Sequence, residues 1–364
     1  MNKELYLQML QIDSTSGKEG EFAAFLSEKL RTSGCRVEEF PVESSDTSNL
    51  LFSWGNPKVI FCSHLDTVPP YIPPTFEGDD TVYGRGTCDA KGQIFAMYEA
   101  CLELERQGRT DFGLLLLAGE ETGSFGAKAY NSMMSDNKSM EDVWLVVGEP
   151  TDNCMASAAK GTKSFEVEFE GEAFHSGYPQ YGRSAVIMFN EFVNALRSIG
   201  FPKDPILGET TWNIGKLHSD NPQNILSDKL ICRVYFRTTF ESDEMVCNVM
   251  KNMAGPEAKL RFGRPKVQDG SDIVAKDVAD WQRYMKVTAF GGDAPTRFEV
   301  LDGFPFKPVS FGSDAPQLKC FGRKILCGPG SILVAHRDNE HITFHDLETA
   351  VQNYIDIYNR LVVE

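Results

Sequence analysis

Five stretches of the sequence place histidines or carboxylates just past apolar runs or in adjoining loops. Ser63-His64-Leu65-Asp66-Thr67-Val68-Pro69 follows the run Val59–Ser63. At a strand end, residues two apart point to the same side, so His64 and Asp66 share a face. A histidine whose far ring nitrogen is held by a carboxylate is a known metal-ligand arrangement. A lone histidine there is more often a satisfied core residue. Gly84-Arg85-Gly86-Thr87-Cys88-Asp89-Ala90-Lys91-Gly92 is a glycine-rich turn before a helical pattern. It fits neither nucleotide-binding glycine motif. Asp89 there is either a metal bridge or part of a structural turn.

Ala118-Gly119-Glu120-Glu121-Thr122-Gly123 ends a fully apolar run. Adjacent carboxylates at the mouth of a buried strand are costly unless a cation neutralises them, and a solvated loop is the competing reading. Glu149 repeats the situation after Val143–Val147, and His336 lies in a loop near the C-terminus. Singly these signals are modest. Together, His64, Asp89, Glu121, Glu149 and His336 form a set of nitrogen and carboxylate ligands without a thiolate. That set suits a pair of Zn²⁺ ions with open positions. Ligand sites in open α/β sheets collect at the carboxyl ends of strands. Glu120, beside a ligand, is placed to act as a general base on an activated water.

The elements that must position these residues alternate. Helices are expected over 3–11 and 18–33, the second with Phe22, Phe25, Leu26 and Leu30 on one face. Strands are expected over 36–42, 49–52 and 59–63, then a helix over 91–107, the apolar run 113–118, a helix over 123–134 and a strand over 143–147. Buried strands alternating with helices predict an α/β domain with helices on both faces of a sheet. Near 160 the texture changes. Phe165, Val167 and Phe169 alternate with polar residues, as in a one-sided sheet. Helices near 183–199 and 242–253 and strands near 210–218 and 228–239 complete a small α+β unit. Helices are expected again at 272–289 and 344–361. The expected organisation is a catalytic domain over 1–160 and 270–364, interrupted by an inserted domain over 161–269.

Composition narrows the function. The 364 residues carry 36 Lys and Arg against 52 Asp and Glu, a net charge of −16. Such a surface repels phosphate backbones, so nucleic acid is not an expected partner. No apolar run approaches the ~20 residues of a membrane span, and the first residues lack the pattern of a secretory signal. The nine cysteines are odd in number and form no C-x-x-C pair. Free thiols in a reducing cytoplasm are the expectation.

The motifs S-H-x-D-x-V-P, G-R-G-x-x-D-x-K-G, G-E-E-x-G, G-E-P-T and A-H-x-x-N-E occur in this order along the chain. In this ordered set the chain resembles the dinuclear zinc metallopeptidase family that includes acetylornithine deacetylase, succinyl-diaminopimelate desuccinylase, carboxypeptidase G2-like enzymes and aminoacylase. The resemblance runs over essentially the whole chain. It implies a zinc-peptidase catalytic domain with a mixed sheet and an inserted ferredoxin-like dimerisation domain. It further implies that His64, oriented by Asp66, and Glu149 hold one zinc, that Glu121 and His336 hold the other, and that Asp89 bridges them before a cis peptide bond to Ala90. Glu120 takes the place of the general base. His341 and His345 lie outside the motif register. Phe174-His175-Ser176-Gly177-Tyr178-Pro179 with Gly182 matches the family's H-x-x-x-P-x-x-G, with Phe174 where alanine is usual. By resemblance His175 is lent by a partner subunit to stabilise the oxyanion. Asn224 and Arg237 match substrate-binding positions of the inserted domain, and Gly312-Ser313-Asp314 matches a substrate-binding loop of the catalytic domain.

The expected activity is hydrolysis of the amide bond of an N-acyl amino acid by a cytoplasmic homodimer with two Zn²⁺, for which Co²⁺ or Mn²⁺ substitute. The closest type is acetylornithine deacetylase of arginine biosynthesis, with an acetyl or succinyl group on ornithine or citrulline. Succinyl-diaminopimelate desuccinylase, dipeptidases and carboxypeptidases share the chemistry. An inactive, metal-free binding homologue is expected to have lost the base or ligands, and all of these are present.

Overall fold

The computed structural model of the chain describes residues 1–43, 45–135, 137, 140–253 and 278–362. Helices α1 (Lys3–Gln11) and α2 (Gly20–Lys29) precede strands β1 (Arg36–Pro41), β2 (Ser48–Gly55) and β3 (Val59–His64). Short strands β4 (Thr75–Glu77) and β5 (Thr81–Tyr83) lead to α3 (Lys91–Arg106), β6 (Asp111–Leu117), α4 (Phe125–Met134) and β7 (Trp144–Val147). Next come β8 (Met155–Ala159), β9 (Gly161–Glu170), α5 (Ala185–Ser198), β10 (Thr211–His218), β11 (Lys229–Thr238) and α6 (Asp243–Met253). The chain continues with β12 (Met285–Ala289), β13 (Thr296–Arg297), β14 (Phe306–Val309), β15 (Arg323–Leu326), β16 (His341–Thr343) and α7 (Phe344–Val362).

Two units emerge. The first comprises 1–158, 297–309 and 313–364; the second comprises 159–296 and 310–312. The first is built on a six-stranded mixed sheet in the order β1-β2-β6-β3-β7-β15. Strands β6, β3, β7 and β15 run parallel, and β1 and β2 add antiparallel pairs at one edge. The parallel strands are nearly continuous apolar runs because both faces are covered. Val59, Phe61, Leu114 and Leu116 pack with Phe95 of α3 and with Leu347 and Tyr354 of α7. The alternate residues Ile60, Cys62, Leu115 and Leu117 are also buried and point to the opposite face. From β3 the chain passes through α3 to β6 on one side, then through α4 to β7 on the other. That reversal makes the carboxyl ends of β3, β6 and β7 a topological switch point, where a crevice opens.

The second unit is a four-stranded antiparallel sheet in the order β10-β11-β9-β12. Its element sequence, strand–helix–strand–strand–helix–strand, is ferredoxin-like. Phe165, Val167 and Phe169 of β9 and Leu230, Cys232, Val234 and Phe236 of β11 form the core with Met188, Phe192 and Leu196 of α5 and Val246 and Met250 of α6. The intervening residues are more exposed and carry ion pairs, Glu166–Arg233 and Glu168–Lys229.

One expected element is corrected. Of the helix over 272–289, residues 272–277 lie outside the described residues. Val278–Tyr284 is a short 3₁₀ segment and Met285–Ala289 is a strand. Trp281, Tyr284 and Met285 have helical spacing, but the free edge of β9 takes up the segment, pairing Met285 with Phe169 and Val287 with Val167. The second unit therefore runs past the expected boundary at 269 to Thr296. All nine cysteines are free. Among the described residues no helix is long and apolar enough to cross a membrane.

Candidate functional site

His64 is the last residue of β3, and its partner across the sheet is Leu117, the last residue of β6. The chain turns at Gly119, whose φ of 67° lies in the left-handed region. A Cβ there would stand 1.7 Å from the Phe125 ring, so only glycine fits. This turn delivers Glu120 and Glu121 beside the end of β3, and Glu149 follows β7 at the next strand end. The loop carrying Asp89 is bent at Gly86, with φ of 83° and with Thr67 and Lys91 side chains where a Cβ would go.

These four strand-end and loop segments converge on one cluster with the loop of His336. His64 Nε2 lies 3.0 Å from Asp89 Oδ1, and His336 Nε2 lies 3.3 Å from Asp89 Oδ2 and 2.8 Å from Glu121 Oε1. His64, Asp89 and Glu121 each offer a ligand atom within 4.8 Å of the others. The Asp89–Ala90 peptide bond is cis. His64 Nδ1 faces the Asp66 backbone oxygen at 2.9 Å and the Asp66 carboxylate at 3.4 Å. That carboxylate also accepts from the Glu120 N–H at 2.9 Å, the Glu121 N–H at 3.2 Å and the Ser16 hydroxyl at 2.8 Å. Asp66 thus holds the His64 ring and the Glu120–Glu121 turn at once. Ser16 escaped the sequence reading, because nothing in the Ser14–Gly17 turn signals a contact fifty residues away.

The electrostatics call for cations. Burial pushes the Glu149 carboxyl far up, reinforced by the charges of Glu120 and Asp89. Among the described residues no hydrogen bond or salt bridge compensates it. Burial likewise raises Glu120, with Asp314, Glu121 and Asp89 adding to the shift and His64 opposing it. Burial works against the Asp89 charge too, but His336 and His64 hold that carboxyl well below the usual range. Conversely the His336 pKa is raised to about 10 by Asp89 and Glu121. His64 is raised as well: Asp66 and Asp89 outweigh its burial. Five carboxylates, those of Asp66, Asp89, Glu120, Glu121 and Glu149, against two imidazoles fit divalent cations by charge and by donor type.

Glu340, the final residue of the A-H-x-x-N-E stretch, was given no role by the sequence reading. It is 1 % exposed. Its carboxylate accepts from the N–H groups of Gly86 at 2.9 Å and of Cys88 and Asp89 at 3.1 Å, and from Arg85 Nη1 at 2.5 Å. Burial and the Asp89 charge push its carboxyl up to about 7 against the pull of Arg85. The acidic residue of the motif was the available signal. Ser313, in the first unit, is 5 % exposed, and its hydroxyl accepts from the Ala315 N–H at 3.4 Å.

The remaining candidates lie in the second unit. His175 is exposed, and its Nδ1 accepts from the Gly177 N–H at 3.0 Å. Asn224 is its neighbour: the Ser176 N–H donates to the Asn224 carbonyl at 2.8 Å, and His175 bridges Ile225. Arg237, on β11, lies elsewhere on the same unit, with its guanidinium 5.1 Å from the Tyr235 ring centroid. The unit therefore brings His175 and Asn224 together but not Arg237 with them.

The family model described as peptidase family M20/M25/M40 matches residues 60–362. A probable carboxypeptidase of Aspergillus oryzae is 33% identical over 380 residues, covering 95% of this chain and 84% of that one. A probable carboxypeptidase of Aspergillus terreus is 32% identical over 381 residues, covering 95% and 83%. Among solved structures, a tripeptidase of Staphylococcus aureus superposes with a TM-score of 0.77 at 21% identity, covering 100% of this chain and 98% of that one. A dinuclear metal-binding peptidase of Bacillus subtilis superposes with a TM-score of 0.64 at 12% identity, covering 99% and 97%. At those identities the structures speak for the fold. The family match over most of the chain and the identity to full-length relatives establish that this chain belongs to peptidase family M20/M25/M40, and that it is a metal-dependent hydrolase.

Proposed function

We propose that the chain is an exopeptidase that hydrolyses the amide bond to a C-terminal amino acid bearing a free carboxylate. The observation that carries this reading is the cluster of His64, Asp89, Glu121 and His336 beside the buried Glu149. The carboxypeptidase names of the relatives support the direction of cleavage. Such a substrate is an N-acyl amino acid whose acyl group is a peptide. The narrower reading as an acetylornithine deacetylase of arginine biosynthesis needs the same chemistry with a small acyl group, and the relatives' names do not favour it.

His64, Asp89 and Glu149 would hold one ion and Asp89, Glu121 and His336 the other, with zinc the metal the donor set suits best. When bound, the pair supplies Lewis acidity to the carbonyl and lowers the pKa of a water. Glu120 takes the proton from the attacking water and hands it to the leaving amine. Its raised pKa, from burial and neighbouring carboxylates, suits a group that must both accept and release a proton. Asp66 keeps the His64 ring and the Glu120–Glu121 peptide in register. Arg237 offers a planar fork that suits a substrate carboxylate, and Asn224 and Ser313 are separate candidates for contacts to the rest of the substrate. His175 of a partner subunit donates to the oxyanion, so the working form is a homodimer joined through the inserted domain.

The test is a substrate panel with added Zn²⁺ or Co²⁺: dipeptides and tripeptides, their C-terminal amides, their N-blocked forms, and N-acetylated amino acids including N-acetylornithine. Peptides with a free C-terminus should be cleaved and their amides spared, with N-blocking tolerated. Cleavage that needs a free N-terminus and ignores C-terminal amidation would overturn the assignment.

A further inference from the structure

We propose that Glu340, with Arg85, is a positioning pair for the Asp89–His336 half of the metal centre, fixing the separation of those two ligands. The inference rests on the two-metal reading above and adds residues that are themselves too deeply engaged to ligate. Three backbone donors, the N–H groups of Gly86, Cys88 and Asp89, converge on one oxygen, Glu340 Oε1, at 2.9–3.1 Å. The other oxygen receives Arg85 Nη1 at 2.5 Å, and both side chains are buried, Arg85 at 2 % exposure. The turn that presents Asp89 is therefore shaped around a carboxylate that belongs to a different segment.

That segment carries His336. Arg85 Nη1 also donates to the Arg337 carbonyl at 3.3 Å, the Glu340 N–H donates to the same carbonyl at 3.2 Å, and the Gly84 N–H donates to the Glu340 carbonyl at 2.9 Å. Residues 84–89 and 337–340 are thus laced together by both side chain and main chain. Asp89 then meets His336 at 3.3 Å through Oδ2 while its Oδ1 stays with His64. His336 itself is half exposed, at 47 %, and among the described residues its side chain is held by Asp89 and Glu121 alone. The half of the centre that contains His336 depends on the lacing, whereas His64 sits on a buried strand end with Asp66 behind it. Outer partners of metal ligands change metal affinity about 10–100-fold when removed.

The experiment is calorimetric titration of metal-free protein with Co²⁺, comparing wild type, Glu340→Gln and Glu340→Asp. Both variants keep a polar group for the backbone donors; the first removes the charge facing Arg85 and the second shortens the reach by one carbon. Wild type should bind two equivalents. The variants should bind the second about 10–100-fold more weakly and the first, which shares Asp89 but keeps the strand-held His64, much less so. The cobalt absorption of the second equivalent should change as well. Wild-type affinity for both equivalents in the variants would overturn the proposal. So would equal weakening of both in folded protein, since that assigns Glu340 to the whole site. If Glu340→Gln does not fold, the Glu340→Asp titration decides by the same criteria. A wild type that takes up no second ion refutes the two-metal reading, and the positioning role with it, before any variant is compared.

Discussion

Replacing Asp66 by asparagine isolates the residue on which the site's geometry converges. The carboxylate is 0 % exposed and receives the Glu120 N–H, the Glu121 N–H and the Ser16 hydroxyl at 2.8–3.2 Å. Asparagine keeps the shape and one acceptor oxygen, but its amide nitrogen must face another donor. Losing one or two hydrogen bonds to a charged acceptor, at roughly 1.5–3 kcal/mol each, gives an expected destabilisation of about 1.5–6 kcal/mol. Urea denaturation of the metal-free proteins measures it, with an unchanged m value showing that the unfolded state is not the cause. The pH dependence supplies a second check. Burial pushes the Asp66 carboxyl up, but the His64 contact, the Ser16 hydroxyl and the Glu120 N–H outweigh it and leave the pKa lowered. A depressed folded pKa gives stability that is present above the unfolded value, about 3.9, and is lost as pH falls through the folded one. The gap between wild type and Asp66→Asn should therefore hold at neutral pH and shrink below about pH 4. A neutral-pH difference under about 0.5 kcal/mol, the range of an inconsequential surface change, would refute this reasoning.

Glu120→Gln should lower kcat by at least ~10²-fold with metal content retained, and loss of metal instead would show that Glu120 is a ligand. The His336 pKa of about 10 and the raised pKa of His64 mean that both rings carry protons in the metal-free chain near neutrality. Metal must displace those protons, so affinity should rise between about pH 6 and 9 with proton release on binding; calorimetry in buffers of different ionisation enthalpy reads it, and a pH-independent affinity contradicts the assignment. His175→Ala and Glu120→Ala should each be nearly inactive alone and recover about a quarter of sites when subunits are mixed, because one site of each mixed dimer is intact. No recovery after verified exchange would place His175 in its own chain's site or outside catalysis.

The sequence was most readable where a single physical constraint dominated. Runs such as Gly113–Leu117 and Trp144–Val147 are apolar on both faces because the parallel sheet is covered on both sides, and that marked the strand ends where His64, Glu121 and Glu149 stand. The alternation in β9 announced the one-sided second sheet. Met285–Ala289 reads as helix because Trp281, Tyr284 and Met285 have helical spacing, and only the free edge of β9 decides otherwise. Strands of three residues such as β4, β5 and β16 are too short for any periodicity to register, yet β5 leads into the Asp89 loop and β16 follows the His336 loop. The lacing of Glu340 to residues 85–89 is likewise a tertiary fact. A carboxylate in a polar loop looks the same in sequence whether it is solvated or, as here, almost wholly buried.

The account stands on a two-ion centre, and metal content measures it most directly. Protein loaded with excess Zn²⁺ and exchanged into metal-free buffer should hold two ions per chain by elemental analysis. A crystal structure of the same sample should place them ~3.5–4 Å apart. Asp89 should bridge them, with His64 and Glu149 on one and Glu121 and His336 on the other. Saturation at a single ion, or ions bound away from Asp89, would contradict it.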